Sequence, residues 1–250
     1  MSSNAATLAA TATKRTLYDM PVSNNGARCR LIIYKKRIED VIDIEQPSEL
    51  GGLKSEEYLK RNPQGKMPVM SCGVTGLEIA ESDTIARYLL STFSDKAPSF
   101  QPDNPLSNLL ARIHDTYVTT IQGCLYKPAP PFGAFGTHKD AIAELVKQLQ
   151  IIDDLVVDSG LYLCGEQVSL ADATIFPTMV FANFMLPKFD VTPPLPPKIA
   201  KWFKQVAEQD TDFARVQQEI MGALQAWEGN NRWDPLLGAG WRDTEPATLF

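Results

Sequence analysis

Between residues 62 and 82 the chain reads NPQGKMPVMSCGVTGLEIAES, and this stretch restricts the fold more than any other. X-Pro bonds have only a small trans preference, so Met67-Pro68, set between a glycine-containing turn and an apolar run, is a candidate cis-proline site. Met67 to Ser71 and Leu77 to Ala80 read as two strands joined by the turn from Gly73 to Gly76. Glu81-Ser82 closes the second strand and opens a helix from Asp83 to Leu90. At such a junction the first backbone N–H groups lack intrahelical partners, and together with the helix dipole they favour an anion.

Upstream, Thr16 to Met20 predicts a short strand, which Pro21 to Asn25 interrupts with turn-forming residues. Ala27, Leu31, Ile32 and Tyr34 recur at helical spacing from Gly26 to Arg37. Glu39 to Ile44 alternates as a second strand, and Ser55 to Arg61 fits a short helix with Ser55 as its cap. The first part is therefore βαβ, helix, ββ, helix. Ser94 to Pro105 carries three prolines and reads as a linker.

Beyond the linker the pattern is helical throughout. Helices are expected over Leu106 to Tyr126, Lys139 to Asp158, Leu170 to Met185, Ile199 to Gln209 and Asp212 to Trp227. KPAPPFGAFG at 127–136 and TPPLPP at 192–197 are too rich in proline for helix. After Glu228 periodicity fades, and an irregular tail packed by Trp233 and Trp241 is expected. The resulting division is a tail at 1–14, a mixed domain at 15–93, a linker at 94–105, an all-α domain at 106–228 and an extension at 229–250.

At 250 residues the chain can bury a sizeable core, and 24 Lys and Arg against 30 Asp and Glu give a formal charge of -6. That balance argues against nucleic acid or an anionic membrane surface as the main partner. The apolar stretch from Ile175 to Pro187 is shorter than a membrane span, so no transmembrane segment is expected. Cys29, Cys72, Cys124 and Cys164 are widely spaced without a CxxC pair, which points away from a disulfide scaffold and toward a reducing, cytoplasmic setting. Residues 1–13, rich in Ser, Ala and Thr and without acidic residues, read as a disordered tail or as the remnant of an organelle transit peptide. His114 and His138 have no partners at metal-ligand spacing, and neither a phosphate loop nor a GxSxG or GxGxxG element is present, so no metal or nucleotide is expected.

NPQGKMPV followed by LEIAESDTIARYL resembles the thioredoxin-like half of soluble glutathione transferases. The resemblance spans about residues 15–227 and implies an α+β chain, with a thioredoxin-like N-terminal domain followed by an all-α C-terminal one, paired as a homodimer. It assigns Met67, before the cis-proline, to backbone pairing with the cysteinyl unit of glutathione. Ser82 falls where the γ-glutamyl carboxylate is held, Glu81 where the ammonium is faced, and Lys54 and Lys66 where the peptide and its glycine carboxylate are held. YLCGEQVSLADATIFP at 162–177 matches the family's GxxxSxAD element, with Ser169 and Asp172 spaced as a capping box.

A transferase must make a thiolate from a thiol whose free pKa is about 8.5. Lowering that pKa by about two units requires roughly 2.7 kcal/mol in favour of the anion. One hydrogen bond to a charged group supplies about 1.5–3 kcal/mol and a helix N-terminus about 0.3–2 kcal/mol, so one hydroxyl beside a helix start is enough. SNNGARCR at 23–30 resembles the SxxxxRxR opening of the serine-type plant-like and zeta-like classes, and Ser23 falls on their catalytic serine. Its implied role is to donate a hydrogen bond to the thiolate. Asn24 and Asn25 depart from those classes and leave the class open. Tyr18 is the alternative donor, and Cys29, past the position of the cysteine-type nucleophile, reads as a buried helix residue. The second substrate, a small hydrophobic electrophile, is expected between the halves, where Tyr117, Tyr126, Phe132 and Phe135 are the aromatic candidates. Conjugation is the function the resemblance implies first; glutathione-dependent isomerisation or ether cleavage, and ligand binding without turnover, are its alternatives.

Overall fold

The computed structural model describes residues 14–73 and 75–238. The readings of residues 1–13 and of Trp241 lie outside the described residues. The chain divides into two compact units, Met1–Ser99 and Phe100–Phe250.

In the first unit, β1 (Arg15–Tyr18), α1 (Asn24–Lys35) and β2 (Ile42–Glu45) form the βαβ opening, followed by α2 (Glu56–Arg61), the hairpin β3 (Val69–Cys72) and β4 (Leu77–Ala80), and α3 (Ser82–Thr92). The sheet order is β2-β1-β3-β4, with β1 parallel to β2, β3 antiparallel to β1 and β4 antiparallel to β3. This is the expected thioredoxin-like unit. The second strand begins later than its alternation predicts, because Val41 N–H bonds back to the Ile38 carbonyl at 3.2 Å and closes a turn first. Helix α1 is buried continuously from Gly26 to Tyr34, whereas Ile85, Ala86 and Leu89 give α3 one core-facing side. At the far end of α1 the Lys36 ammonium is buried and donates to the carbonyls of Phe93 and Lys96 at 2.9 and 2.6 Å, which satisfies acceptors just beyond α3.

The second unit is helical: α4 (Pro105–Ile113), α5 (His138–Leu155), α6 (Leu170–Met185), α7 (Pro197–Gln209), α8 (Thr211–Gly229) and the short α9 (Asp234–Leu237). The helix expected over Leu106 to Tyr126 is helical to Leu125 but not α-helical throughout. A π-helical turn at His114–Val118 follows α4, then an α-turn at Thr119–Ile121 and a 3-10 turn at Gln122–Leu125. Buried His114 bonds through Nε2 to Thr178 Oγ1 of α6 at 2.8 Å, pinning the irregular turn from outside its own segment. Pro197, expected in a loop, starts α7, where its missing N–H is harmless. Asp153 of α5 accepts the Ile199 N–H at 2.7 Å and caps that helix across the unit.

Helix α6 is buried almost all round, and Phe176 at its centre meets Trp202, Phe203 and Phe213 at 5.9, 5.1 and 4.9 Å. Extended by its 3-10 turn to Leu170–Phe189, the segment is 20 residues and apolar enough to span a membrane by length and composition, contrary to the reading of Ile175 to Pro187 as too short. Its most apolar window is 83% buried in this structure, as befits a core helix. Ser169 and Asp172 form the expected capping box. Asp172 does more: it accepts from Leu163 N and Ser169 N, each at 2.8 Å, from Ser169 Oγ at 2.7 Å and from Trp202 Nε1 at 3.1 Å. Burial lifts its pKa to about 6 despite these donors.

In the segment expected as a linker, Phe100 is fully buried and its carbonyl accepts the Leu170 N–H at 2.8 Å. In the expected irregular tail, α9 forms and Trp233 is fully buried against Trp227, Phe181 and Phe184.

Candidate functional site

The NPQGKMPV loop is built around one carbonyl. Tyr58 Oη and Asn62 Nδ2 both donate to Lys66 O, at 2.8 and 2.7 Å. Burial pushes the Tyr58 phenol up to about 12, so it stays a donor. Asn62 Oδ1 accepts Gln64 N–H at 3.1 Å, and Gly65 N–H returns to Asn62 O at 2.9 Å, closing the turn. Gly65 has φ +59, and a Cβ there would meet Leu53 O at 2.8 Å and Lys54 Nζ at 2.9 Å, so the turn needs glycine. Met67-Pro68 is cis, and half-exposed Met67 stands just ahead of β3.

The hairpin brings the loop to the β4–α3 junction, where Gln64 Nε2 donates to Glu81 Oε1 at 3.3 Å. Glu81 has φ 66 and ψ 117, a conformation that non-glycine residues rarely adopt and that is held by the hairpin before it and the helix after it. Ser82 begins α3 with its side chain buried. Lys54 and Lys66 are exposed, Lys54 with its ammonium over Gly65. Lys54, Lys66, Met67, Glu81 and Ser82 thus lie on, against or hydrogen-bonded to two adjoining segments, the loop and the α3 N-terminus.

Ser23 is the N-cap of α1: its Oγ accepts the Gly26 N–H at 3.0 Å. The side chain is half-buried, and accepting from the backbone leaves its own proton to donate elsewhere. Tyr18 is a core residue, packed with Tyr58 and Val69, and burial raises its pKa. Cys29 is fully buried, its thiol bonded to Ser82 O at 3.6 Å and its pKa pushed far up by burial. Neither has the half-open setting of Ser23.

A buried carboxylate that the residue pattern had not singled out stands behind Ser23. Asp19 follows β1, its N–H donating to Glu45 O at 2.8 Å. Its side chain is paired with Arg30, which also donates to the carbonyls of Met20 and Pro21 at 2.9 and 2.8 Å. Burial raises Asp19 to about 6, against the opposing pull of Arg30, the Met20 amide and the Ser23 hydroxyl. The signal for it was an Asp four residues before the candidate serine, which looks like any turn residue.

The aromatic candidates of the helical unit lie in different settings. Tyr117, in the π-helical turn, is 54% exposed; Tyr126 meets Phe181 edge-on at 5.8 Å; Phe132 is buried against His138 at 4.4 Å. Phe132 and Phe135 are joined through their backbones. A concavity of about 470 Å³ in this unit is lined by Asn183, Leu195, Phe203, Lys204 and Glu208 among others, and by none of the aromatic candidates. Among the described residues no group of three or more His, Cys, Asp or Glu could hold a metal ion.

Residues 17–98 match the family described as glutathione S-transferase, N-terminal domain, and residues 120–205 the corresponding C-terminal domain. The glutathione S-transferase-like protein FUS3 of Gibberella moniliformis is 26% identical over 198 residues, covering 74% of this chain and 86% of that protein. OpS6 of Beauveria bassiana, also named transferase-like, is 26% identical over 175 residues, covering 64% and 77%. Among solved structures, the tau-class enzyme of mango aligns with TM-score 0.66 at 20% identity, covering 86% of this chain and 97% of that one. Glutathione transferase F7 of Populus trichocarpa aligns with TM-score 0.65 at 20% identity, covering 82% and 99%. At such identities the structures speak for the fold, and the two domain matches speak for descent: this chain belongs to the glutathione S-transferase family.

Proposed function

We propose that the protein conjugates glutathione to small hydrophobic electrophiles, with Ser23 donating a hydrogen bond to the thiolate. The observation that carries this reading is the cap geometry of Ser23. Gly26 N–H fixes its oxygen at 3.0 Å, and the positive end of α1 adds to the field at that oxygen. A thiolate beside it gains a donor held in place before the ligand arrives, the preorganisation that stabilises developing anions. The loop and the α3 N-terminus supply the rest of the reading: Met67 for the cysteinyl backbone, Ser82 for the γ-glutamyl carboxylate, Glu81 for the ammonium, and Lys54 and Lys66 for the glycine carboxylate. Of the aromatic candidates for the electrophile pocket, Tyr117 is the most exposed to solvent, with Tyr126 and Phe132 behind it in the reading. A homodimer in a reducing compartment completes the proposal.

The test is ultraviolet titration of bound glutathione together with turnover of a general electrophile. Thiolate formation with turnover supports conjugation. Thiolate without conjugation points to isomerisation or ether cleavage, and binding without thiolate to a ligand carrier.

A further inference from the structure

Asp19 is the most deeply placed carboxylate of the first unit, with a fully buried side chain. A Cβ placed on Gly26 would fall 1.7 Å from its Oδ1 and 2.1 Å from Oδ2, so the carboxylate lies directly against the first turn of α1, the turn that Ser23 caps. Oδ2 is held by Arg30. Oδ1 is buried and has no directed hydrogen bond among the described residues, although the Ser23 hydroxyl and the Met20 amide stand close enough to draw the acid's pKa down. A buried acceptor of this kind favours any process that brings it a proton.

An ionised Asp19 and a glutathione thiolate at Ser23 would put two anions beside one hydroxyl. Like charges at that range oppose each other, and the pair is relieved when one of them is neutral. Ser23 is the group that can connect them, because a hydroxyl donates one proton while accepting another. We propose that Asp19 is a positioning residue that takes up the proton of the glutathione thiol through Ser23. The S–H bond breaks as its proton passes to Ser23 Oγ, and Ser23 gives its own proton to Asp19 Oδ1. Thiolate and neutral acid replace thiol and carboxylate, and the site keeps a single negative charge. This inference rests on the reading of Ser23 as the thiolate donor and names where its proton balance is settled.

The groups facing Asp19 are compatible with a carboxylate that titrates near neutrality. Arg30 of α1 favours the anion, while Asp19 in turn raises the Cys29 thiol of α1 and the Tyr58 phenol of α2, both of which stay neutral. Arg28 of α1 and Asp83 of α3 act on the same patch through Cys29, with opposite signs. The β2 strand presents the Glu45 carbonyl to the Asp19 N–H.

The experiment counts protons. Glutathione is titrated into the wild-type protein at pH 7 by calorimetry in buffers of different ionisation enthalpy, and thiolate is read in parallel from its ultraviolet absorbance. The expected result is thiolate formation with less than about half a proton released per thiolate, since an acid of pKa about 6 is mostly ionised at pH 7 and able to accept one. S-methylglutathione, which has no thiol proton, should show no proton exchange. In Asp19→Asn, and in Asp19→Asn/Arg30→Gln, which avoids leaving the guanidinium beside a lost partner, release should rise toward one proton per thiolate. One-for-one release in the wild type would overturn the role of Asp19 and leave the transferase reading standing. Absence of thiolate in the wild type would sink that reading and this inference with it.

Discussion

Gly26 and Asp19 occupy one another's space: the position of a Cβ on Gly26 lies 1.7 Å from a carboxylate oxygen that is fully buried. In an ordinary helix, glycine to alanine stabilises by roughly 0.5–1 kcal/mol. Here the sign reverses, because the acid is wedged between Arg30 and the helix backbone and cannot retreat. Gly26→Ala is expected to destabilise by about 1–3 kcal/mol or more, as overpacked cores do. A urea midpoint at or above that of the wild type would contradict the geometry.

Under the proposed function Ser23 has two separable duties, of which the cap is seen in the structure. As a cap it stabilises α1, and Ser23→Ala is expected to cost about 1 kcal/mol in unfolding free energy. As a donor to the thiolate, its loss should raise the pKa of bound glutathione and lower turnover near pH 7 roughly ten- to hundredfold, the kinetic equivalent of about 1.5–3 kcal/mol. Ser23→Thr keeps both the cap and the proton and should restore both. If Ser23→Ala kept full turnover, the donor would lie elsewhere while the family assignment stood.

Glu81 holds a backbone conformation with φ 66 that suits glycine better than any other residue. Glu81→Gly should therefore raise the melting temperature, by the equivalent of roughly 1 kcal/mol, while removing the carboxylate proposed to face the glutathione ammonium. Affinity for glutathione should fall roughly tenfold in the same variant. Stability and binding moving in opposite directions is the signature; a variant that loses both would mean that the side chain is structural.

Asp172 gives a dependence on pH whose sign is set by its environment. Burial holds its pKa at about 6 against an ordinary 3.8, so the folded protein keeps a proton over a range in which the unfolded chain has released it. The group therefore contributes stability that is fully present below about pH 4 and is lost as the pH rises through 6. Asp172→Asn cannot titrate and disturbs four hydrogen bonds at every pH. The difference in stability between wild type and variant should be smallest at pH 7 and widen toward pH 4. Thermal melts across that range check it, and a constant difference would show that the four donors hold the acid ionised.

The parts of the fold that were legible in the sequence are those governed by neighbours along the chain. Ser55 and Ser169 cap the helices that their spacing predicts, and Leu170–Met185 has the expected bounds despite Pro177. What escaped depends on residues far apart. The π-helical turn at His114 is fixed by Thr178, and the Asp153 cap of α7 reaches it from another helix. The candidate site divides in the same way. Asn62, Gly65 and Ser82 could be placed from the motif, whereas Asp19 matters only because Gly26 and Arg30 of α1 fold over it. Tyr117, Tyr126 and Phe132 have different settings that the sequence did not show, because apolar spacing tells which side of a helix is greasy and not which other side chains it will meet.

Tyr58 and Asn62 together use both lone pairs of the Lys66 carbonyl. Backbone groups spaced along an extended loop look alike to a peptide, and one that slid by a single residue would normally find an equivalent acceptor. At Lys66 it finds one already filled. For glutathione lying along this loop as proposed, the Lys66 carbonyl is closed to pairing and the backbone of Met67 comes next along the chain, which gives the loop a zero mark. Under that proposal, recognition of main chain, usually indifferent to position, acquires a register before any side chain of the ligand is read.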